Sequence, residues 1–284
     1  MSSKIIIGTA NFGQNYGISK KKVNLRSAKV VCGYAIENKI RYLDTATSYK
    51  NSNKIIKILN KKIEVITKVL PCKKWINFDY CLNEMNKIYF DLGNKKINTL
   101  LFHDENFLFK KEGYQVYLNL IKLKKKKLFK NIGVSIYNFY NLNYLIKKYS
   151  FDIIQCPFNI FDQRLIETNW LSKLKNRGIK IHVRSIFLQG LLLNKNLNNN
   201  NISKKWKKDL MYFNEYANKN NINLIDLCMT FVTSYNLNGY VIGIENLKNL
   251  KKIIFFKKVK KFNFKMFSNN KKKLIDPRKW KKNK

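Results

Sequence analysis

The sequence contains few acidic residues, few prolines and few histidines. Only 17 Asp and Glu stand against 57 Lys and Arg, so the formal net charge of the 284 residues is +40 at pH 7. A chain that is 45% hydrophobic with only 3 prolines is typical of a globular fold and not of a disordered segment. The length allows either two domains or a single α/β barrel of about 250 residues.

Disulfide patterns and long apolar runs are also missing. The 5 cysteines are odd in number and include no C-x-x-C pair, which indicates neither a disulfide framework nor a zinc site. The opening MSSKIIIGTANFG has too short an apolar run for the core of a signal peptide, and no later stretch reaches the ~18 apolar residues of a membrane span. We therefore expect a cytoplasmic protein with reduced thiols and no membrane partner.

The positive charge raises the hypothesis of nucleic-acid binding through counterion release. Only six of the 57 basic residues are arginine, however, and the lysines are spread along the whole chain. A protein that reads bases would be expected to use bidentate arginines, and none of the nucleic-acid motif signatures is present. We expect no nucleic-acid partner.

Short apolar runs alternate with longer segments of helical spacing. Strands are predicted at Lys4–Gly8, Arg41–Asp44, Glu64–Thr67, Thr99–His103, Asn131–Ser135, Ile153–Pro157, Lys180–Val183 and Gly239–Ile242. Helices are predicted at Ser27–Glu37, Phe78–Phe90, Tyr114–Leu123, Tyr140–Lys148, Ile166–Asn176 and Lys205–Asn218. Eight such units favour a closed (β/α)8 TIM barrel, with a doubly wound open sheet as the alternative.

Two segments stand outside this alternation. Leu193–Ser203 is dominated by Asn and is interpreted as a mobile loop after the seventh strand. Residues 271–284 are rich in Lys and are interpreted as a solvated tail with one aromatic anchor, Trp280. The chain is thus expected to be one domain, with the barrel in residues 1–270 and the tail in 271–284.

Polar residues end three consecutive predicted strands. Asp44 closes the second, Lys68 the third and His103 the fourth, while Tyr49 follows Asp44 in the next loop. Because active sites of such barrels lie at the carboxyl ends of the strands, we expect these four side chains to converge. Taken singly, each has a structural reading: a solvated Lys, a satisfied structural His, or a carboxylate that caps a helix.

Together the four residues form a chemically sensible set for carbonyl reduction. Hydride attack on a carbonyl carbon develops negative charge on the oxygen, which an acid must protonate. Tyr49 is the expected donor, with its pKa lowered by the Lys68 ammonium, and Asp44 would hold that ammonium. His103 would orient the substrate.

Two other interpretations of residues at the strand ends are less favoured. Asp44, His103 and Asp104 offer groups that can bind a metal, but the Lys68 ammonium would compete with a cation there, so no metal site is expected. Cys156 ends a strand before Pro157 and is interpreted as a packing residue and not as a nucleophile.

The blocks LDTATSY, ITK and LLFHD resemble the aldo/keto reductase family, whose Asp, Tyr, Lys and His tetrad maps onto Asp44, Tyr49, Lys68 and His103. The segments IIIGTANFGQNYGI, NIGVSIY, IIQCPFNIFDQR, VRSIFLQGLLL and YVIGIENLKNL follow in the family's order. The resemblance implies an NAD(P)H-dependent reductase that takes NADPH or NADH and a small carbonyl substrate. RSIFLQGLLL and the DPRKW segment are similar to bacterial members of carbohydrate and surface-sugar pathways, so the carbonyl is expected to be sugar-like.

The resemblance also implies cofactor contacts. It assigns Ser135 and Gln155 to the nicotinamide carboxamide, Gly8 and Thr9 to the same pocket, and Arg184 to a stacking position under the nicotinamide, where many members have an aromatic ring. The pyrophosphate path is assigned to Ser185, Leu188, Gln189 and Gly190, and the adenosine end to residues 243–249, with Gly243, Glu245 and Asn249. The family binds its cofactor without a G-x-G-x-x-G fingerprint, and the sequence has none.

The sequence departs from the family pattern at several positions. Lys50, Asn53 and Ile136 replace residues that are frequent in the family near the tetrad tyrosine and the nicotinamide. Asn249 stands where NADPH-specific members often have Arg. Glu245 would repel a 2′-phosphate, although Lys248 acts in the opposite direction. The choice between NADPH and NADH stays open.

A second hypothesis is a non-catalytic barrel that binds a nicotinamide cofactor as a redox sensor or partner-binding module. The intact tetrad favours the enzyme. The sequence shows no coiled coil or apolar seam from which an oligomeric state could be inferred.

Overall fold

The computed structural model describes residues 4–195, 204–260 and 262–280. Eight parallel strands close into one barrel in sequence order, since β1 pairs with both β2 and β8. The strands are β1 (Ile5–Gly8), β2 (Tyr42–Asp44), β3 (Glu64–Val69), β4 (Ile97–Phe102), β5 (Asn131–Ser135), β6 (Ile153–Pro157), β7 (Lys180–Arg184) and β8 (Gly239–Gly243). The predicted (β/α)8 barrel is confirmed, and the open sheet is excluded because the sheet has no edge.

Helices surround the barrel. They are α1 (Leu25–Glu37), α2 (Lys50–Lys57), α3 (Phe78–Asp91), α4 (Gly113–Lys125), α5 (Leu142–Lys148), α6 (Arg164–Glu167), α7 (Trp170–Asn176), α8 (Lys204–Lys219), α9 (Leu224–Thr233), α10 (Leu247–Ile254) and α11 (Lys272–Ile275). Short 3₁₀ turns lie at Lys73–Ile76, Glu105–Phe109, Leu188–Leu193, Phe264–Phe267 and Pro277–Lys279. No helix in the described ranges is long and apolar enough to cross a membrane.

The eight predicted strands are all present, with ends within two residues of the prediction. The predicted helix Ile166–Asn176 is instead divided into α6 and α7. The division falls at Asn169, whose left-handed backbone (φ 58°) interrupts the helix. Asn accepts this conformation more readily than most residues, which explains the break.

Helix α1 shows how the sequence produces the outer layer. Its buried residues Ala28, Val31, Cys32 and Ala35 recur at intervals of three and four and so form one face. The side chain of Asn24 accepts a hydrogen bond of 2.9 Å from the backbone N–H of Ser27 and thereby caps the first turn. The buried face packs in the layer between helices and strands.

Inside the barrel, inward-facing residues form a second apolar cluster. Its members are Ile6, Ile66, Leu101, Ile153 and Val241. Gly133 leaves room for this packing, because a Cβ there would lie 2.0 Å from the carbonyl oxygen of Ile153. The interior is therefore filled, and ligands can enter only at its ends.

The Lys-rich end of the chain is anchored to the fold up to residue 280. Leu274 and Ile275 are buried. Trp280 donates an Nε1–H hydrogen bond of 3.0 Å to the carbonyl of Leu274, and its ring lies 5.4 Å from that of Trp206. The lysines of residues 271–280 are exposed and Trp280 is an aromatic anchor, as expected, whereas Leu274 and Ile275 are packed against the fold. Whether residue 270 is a domain boundary stays a prediction. Residues 281–284 and most of the predicted Leu193–Ser203 loop lie outside the described residues.

Candidate active site at the carboxyl ends of the strands

One cleft opens at the carboxyl ends of the strands, and strand alternation determines which side chains line it. Leu101 and Ile66 face the interior, so His103 and Lys68, two positions later, face the same way at the mouth. The cleft receives a side chain or a glycine near the ends of seven strands: Gly8, Asp44, Lys68, His103, Ser135, Arg184 and Gly243.

Asp44 and Lys68 form a buried ion pair at the floor of this cleft, with side chains that are 7% and 4% exposed. The ammonium of Lys68 donates to Asp44 Oδ1 and, at 3.0 Å, to the carbonyl of Thr45. Asp44 Oδ2 accepts a hydrogen bond of 2.7 Å from Gln155 Nε2. Burial lowers the pKa of Lys68, while Asp44 opposes that shift. The pair is neutral as a unit and held in one geometry.

Tyr49 lies just before α2, beside this pair. Its ring is perpendicular to that of His103 with centroids 6.0 Å apart, and Lys68 Nζ lies 5.9 Å from its ring centroid. Burial raises the pKa of Tyr49, and the neighbouring Tyr16 and Asp44 add to the effect. The expectation that Lys68 lowers this pKa is therefore wrong for the free protein. The difference arises from burial of the phenol, which outweighs the neighbouring positive charges.

His103 completes the group. Burial lowers its pKa to about 4, and the positive charge of Lys68 adds to that shift. Its Nδ1 atom is buried and has no hydrogen-bond partner among the described residues. His103 is therefore neutral near pH 7 and offers one ring nitrogen as donor and the other as acceptor.

The start of α2 is tied to the barrel by two residues that sequence reasoning did not assign to the site. Asn53, treated there as a departure from the family, accepts 2.8 Å from the hydroxyl of Thr45 and donates 3.1 Å to the carbonyl of Ala46. Ser52 donates 2.6 Å to the carbonyl of Thr9. These bonds hold the segment between Asp44 and Tyr49. A sequence signal for these contacts exists: Ser52 and Asn53 are polar residues on the buried side of a short amphipathic helix.

Residues 13–22, here called the strap, cross the other part of the cleft. At Gly17 the backbone is left-handed (φ +70°), and a Cβ there would lie 2.8 Å from the carbonyl oxygen of Gln189. That carbonyl accepts a hydrogen bond of 3.1 Å from the N–H of Ile18. The strap thus closes against the loop after β7, and only glycine fits at the crossing.

The strap also engages Glu245 in the loop after β8. Ser19 donates a hydrogen bond of 2.7 Å to one carboxylate oxygen, and Lys21 forms an ion pair of 3.2 Å with the other. The charge that was expected to repel a 2′-phosphate is therefore compensated. Asn249 also lines the cleft here, and its backbone N–H bonds at 2.9 Å to the side chain of Asn246, which caps α10.

The loop after β7 forms one wall of the cleft with an unusual backbone. Positive φ values occur at Ser185 (60°), Leu188 (47°), Gln189 (54°) and Gly190 (88°). Non-glycine residues in this region store strain that is common where a backbone is shaped for a ligand. Ser185, Gln189 and Gly190 line the cleft, whereas Leu188 is fully buried behind it.

Most residues that the sequence assigned to the site lie in this cleft. The tetrad residues do, and so do Gly8, Thr9, Ser135, Arg184, Ser185, Gln189, Gly190, Gly243, Glu245 and Asn249. Gln155 does not line it, because it is packed beneath Asp44 with its Oε1 atom buried and unpartnered. Lining residues that sequence reasoning missed include Tyr16, Tyr137, Ile225 and Ile253.

Comparisons with known proteins identify a family and similar folds. The family model described as the aldo/keto reductase family matches residues 4–274. Comparison with curated proteins gives no match.

Among solved structures, the aldo-keto reductase AKR11C1 from Bacillus halodurans (holo form) has a TM-score of 0.74 at 15% identity, over 93% of this chain and 89% of that one. The glycerol dehydrogenase AKR11B4 from Gluconobacter oxydans has a TM-score of 0.67 at 17% identity, over 90% and 87% of the two chains. At these identities the two structures support the fold, while the family match covers nearly the whole chain. The chain belongs to the aldo/keto reductase family.

Proposed function

We propose that this protein reduces an aldehyde or ketone to an alcohol with a hydride from NADPH or NADH, and that Tyr49 donates the proton. One observation carries the proposal: Tyr49, a neutral His103 and the buried Lys68–Asp44 pair lie together at one end of a cleft. The other end of the same cleft reaches Asn249 and Ile253. An acid near the carbonyl and an extended cofactor groove are what this reaction requires.

The residues that line the cleft match the chemical groups of an extended dinucleotide. Its tetrad end offers polar groups, and its far end combines polar residues with the apolar Ile225 and Ile253, as a ribose and an adenine ring require. No atom lies within 4 Å of a Cβ built at Gly190 or Gly243, so both positions leave open space beside the backbone.

Individual cofactor contacts follow from this placement. Gly8, Thr9, Ser135 and Arg184 would hold the nicotinamide, with Gln155 acting through Asp44. Ser185, Gln189 and Gly190, supported by Leu188, would hold the pyrophosphate, and Gly243, Glu245 and Asn249 the adenosine end. When bound, the reduced nicotinamide supplies the hydride.

Residues of the chain itself would hold the proton and donate it to the substrate. The raised pKa of Tyr49 keeps its hydroxyl protonated at neutral pH, so the proton is present when the carbonyl oxygen gains charge. The Nζ atom of Lys68 lies 5.9 Å from the centroid of the Tyr49 ring, and its positive charge would stabilise the phenolate that remains, while Asp44 holds the ammonium in place. His103 positions the substrate oxygen through its neutral ring. The resemblance favours a sugar-like carbonyl as the substrate.

The test begins with fluorescence titration of NADPH and NADH into the protein, followed by a panel of small aldehydes, ketones and sugars monitored by cofactor oxidation. Replacing Tyr49→Phe should lower kcat by about 10²- to 10⁴-fold, the usual contribution of a general acid, with cofactor affinity retained. Tyr212→Phe is the matched control, because Tyr212 is half exposed and lies on α8.

If neither NADPH nor NADH bound, the proposal would be contradicted. Tight binding without turnover of any carbonyl would favour the non-catalytic cofactor-binding barrel instead.

A further inference from the structure

The charged side chains of the cleft are balanced except at one position. Asp44, Lys68, Arg184 and Glu245 line it. Asp44 pairs with Lys68, and Glu245 pairs with Lys21. Arg184 has no carboxylate within ion-pair distance in the described part of the chain. The tetrad end of the cleft therefore carries one uncompensated positive charge.

The contacts of Arg184 are made with neutral groups. Its Nη2 donates 2.9 Å to the carbonyl of Ile136, and its Nη1 reaches the hydroxyl of Ser185 at 3.4 Å. A guanidinium carries five N–H donors, so further donors are available to a ligand. A partly buried charge without a counterion costs free energy, which an incoming anion would offset.

The guanidinium is also held in one plane. It lies 4.0 Å from the ring centroid of Tyr137, and Arg278 lies 3.4 Å from the same centroid. Asp276 fixes Arg278 with hydrogen bonds of 3.0 and 2.8 Å. A donor group that is already oriented loses less entropy when it binds a ligand.

Arg184 is close to the reacting groups. It lines the same cleft as Tyr49, Lys68 and His103. A small molecule whose carbonyl faces Tyr49 lies in the cleft that Arg184 lines, so an anionic group on that molecule is placed to meet the guanidinium.

We propose that the carbonyl substrate carries an oxyanion, a carboxylate or a phosphate, and that Arg184 binds it. This inference rests on the proposed function and adds a substrate class to it. The N–H groups at the edge of the Arg184 guanidinium would donate to the anion. Its flat face would remain beside the nicotinamide, as in the proposed cofactor site.

The test compares matched substrates on the unmodified protein with whichever reduced cofactor it binds. Succinic semialdehyde is compared with butanal, and glyceraldehyde phosphate with glyceraldehyde, by kcat/KM. The anionic member of at least one pair should be preferred about tenfold to a hundredfold, the range for a charge-assisted hydrogen bond. The pair that shows the preference identifies the anion as carboxylate or phosphate.

Variants then assign the preference to Arg184. Arg184→Gln should remove most of it, and Arg184→Lys, which keeps the charge but loses the planar fork, should retain part. Arg177→Gln, at an exposed arginine that caps the end of α7 and does not line the cleft, should leave the preference within about twofold. Thermal unfolding of each variant establishes that it is folded.

Three outcomes separate the inference from the function. Turnover of neutral and anionic carbonyls at equal kcat/KM would overturn the inference and leave the function intact. An anion preference that survives in Arg184→Gln would also overturn it. Absence of turnover with every carbonyl would overturn the proposed function itself.

Discussion

The two ends of the cleft are built differently. At the tetrad end, Asp44 and Lys68 extend from strand ends and are almost completely buried. At the strap end, Glu245 lies in a loop, and its partner Lys21 has a side chain that is 63% exposed. Buried groups on rigid strands hold a reaction geometry, whereas loop contacts change at small cost to the fold. The first end suits chemistry and the second suits selection among cofactors.

Breaking the buried pair should have the largest effect. Lys68→Met leaves the carboxylate of Asp44 buried without its counterion, so the free energy of unfolding should fall by about 3–5 kcal/mol, together with activity. The double variant Asp44→Asn/Lys68→Met removes both charges and should recover most of the stability without the activity. Urea unfolding and cofactor oxidation measure the two quantities. If the single and double variants had the same free energy of unfolding, the unpaired charge of Asp44 would not be the cause of the lost stability.

The free energy of unfolding should depend on pH through His182, a buried residue of β7. Burial lowers the pKa of His182 to about 4, with Lys180 adding to the shift and Asp44 opposing it. Below the unfolded pKa of about 6.5, the unfolded chain binds a proton that folded His182 does not, so stability falls as the pH drops from about 6.5 towards 4.

At about 1.36 kcal/mol per pKa unit, this one histidine accounts for about 3 kcal/mol, present above pH 6.5. His103 acts in the same direction. Unfolding curves between pH 4 and 7.5 measure the slope, which should be shallower in His182→Leu than in the unmodified protein. An identical slope in the two proteins would remove His182 as its source.

The strap end should show the smallest effect. Lys21→Ala breaks an exposed pair and should change the free energy of unfolding by less than about 1 kcal/mol. It also exposes the charge of Glu245, so affinity for NADPH should weaken relative to NADH by a few-fold, corresponding to about 1 kcal/mol. Glu245→Gln should shift the ratio in the opposite direction. Lys22→Ala, which removes an exposed charge beside the strap pair, is the control for general electrostatics.

If Lys22→Ala changed the NADPH-to-NADH ratio as much as Lys21→Ala, the overall positive field and not the Lys21–Glu245 pair would govern cofactor choice.

Much of the site was predictable because all the strands of a parallel barrel end at the same side of it. Once Asp44, Lys68 and His103 were placed at the ends of consecutive parallel strands, their convergence followed from the topology. The contacts of Asn53 were not predictable, because they depend on how α2 and the loop before it pack against the barrel. The hydrogen bond from Gln155 to Asp44 was not predictable either, because it joins side chains of two strands that are not neighbours in the barrel.

The pKa of Tyr49 shows the same limit more sharply. From the sequence, a nearby lysine implied a lowered pKa; in the folded chain, burial dominates and raises it. Burial is a property of all the atoms around a side chain, which sequence spacing does not report.

By itself, the sequence determined the barrel, the order of its strands and the residue types at their carboxyl ends, because hydrophobic periodicity is local and parallel pairing then has few solutions. Only the tertiary structure decided which charges are paired. It joined Lys21 to Glu245 across 224 positions, and it placed Arg184 against the ring of Tyr137 without a carboxylate partner among the described residues. Such pairings depend on distances between loops that are far apart in the chain, and those distances exist only after the barrel has closed.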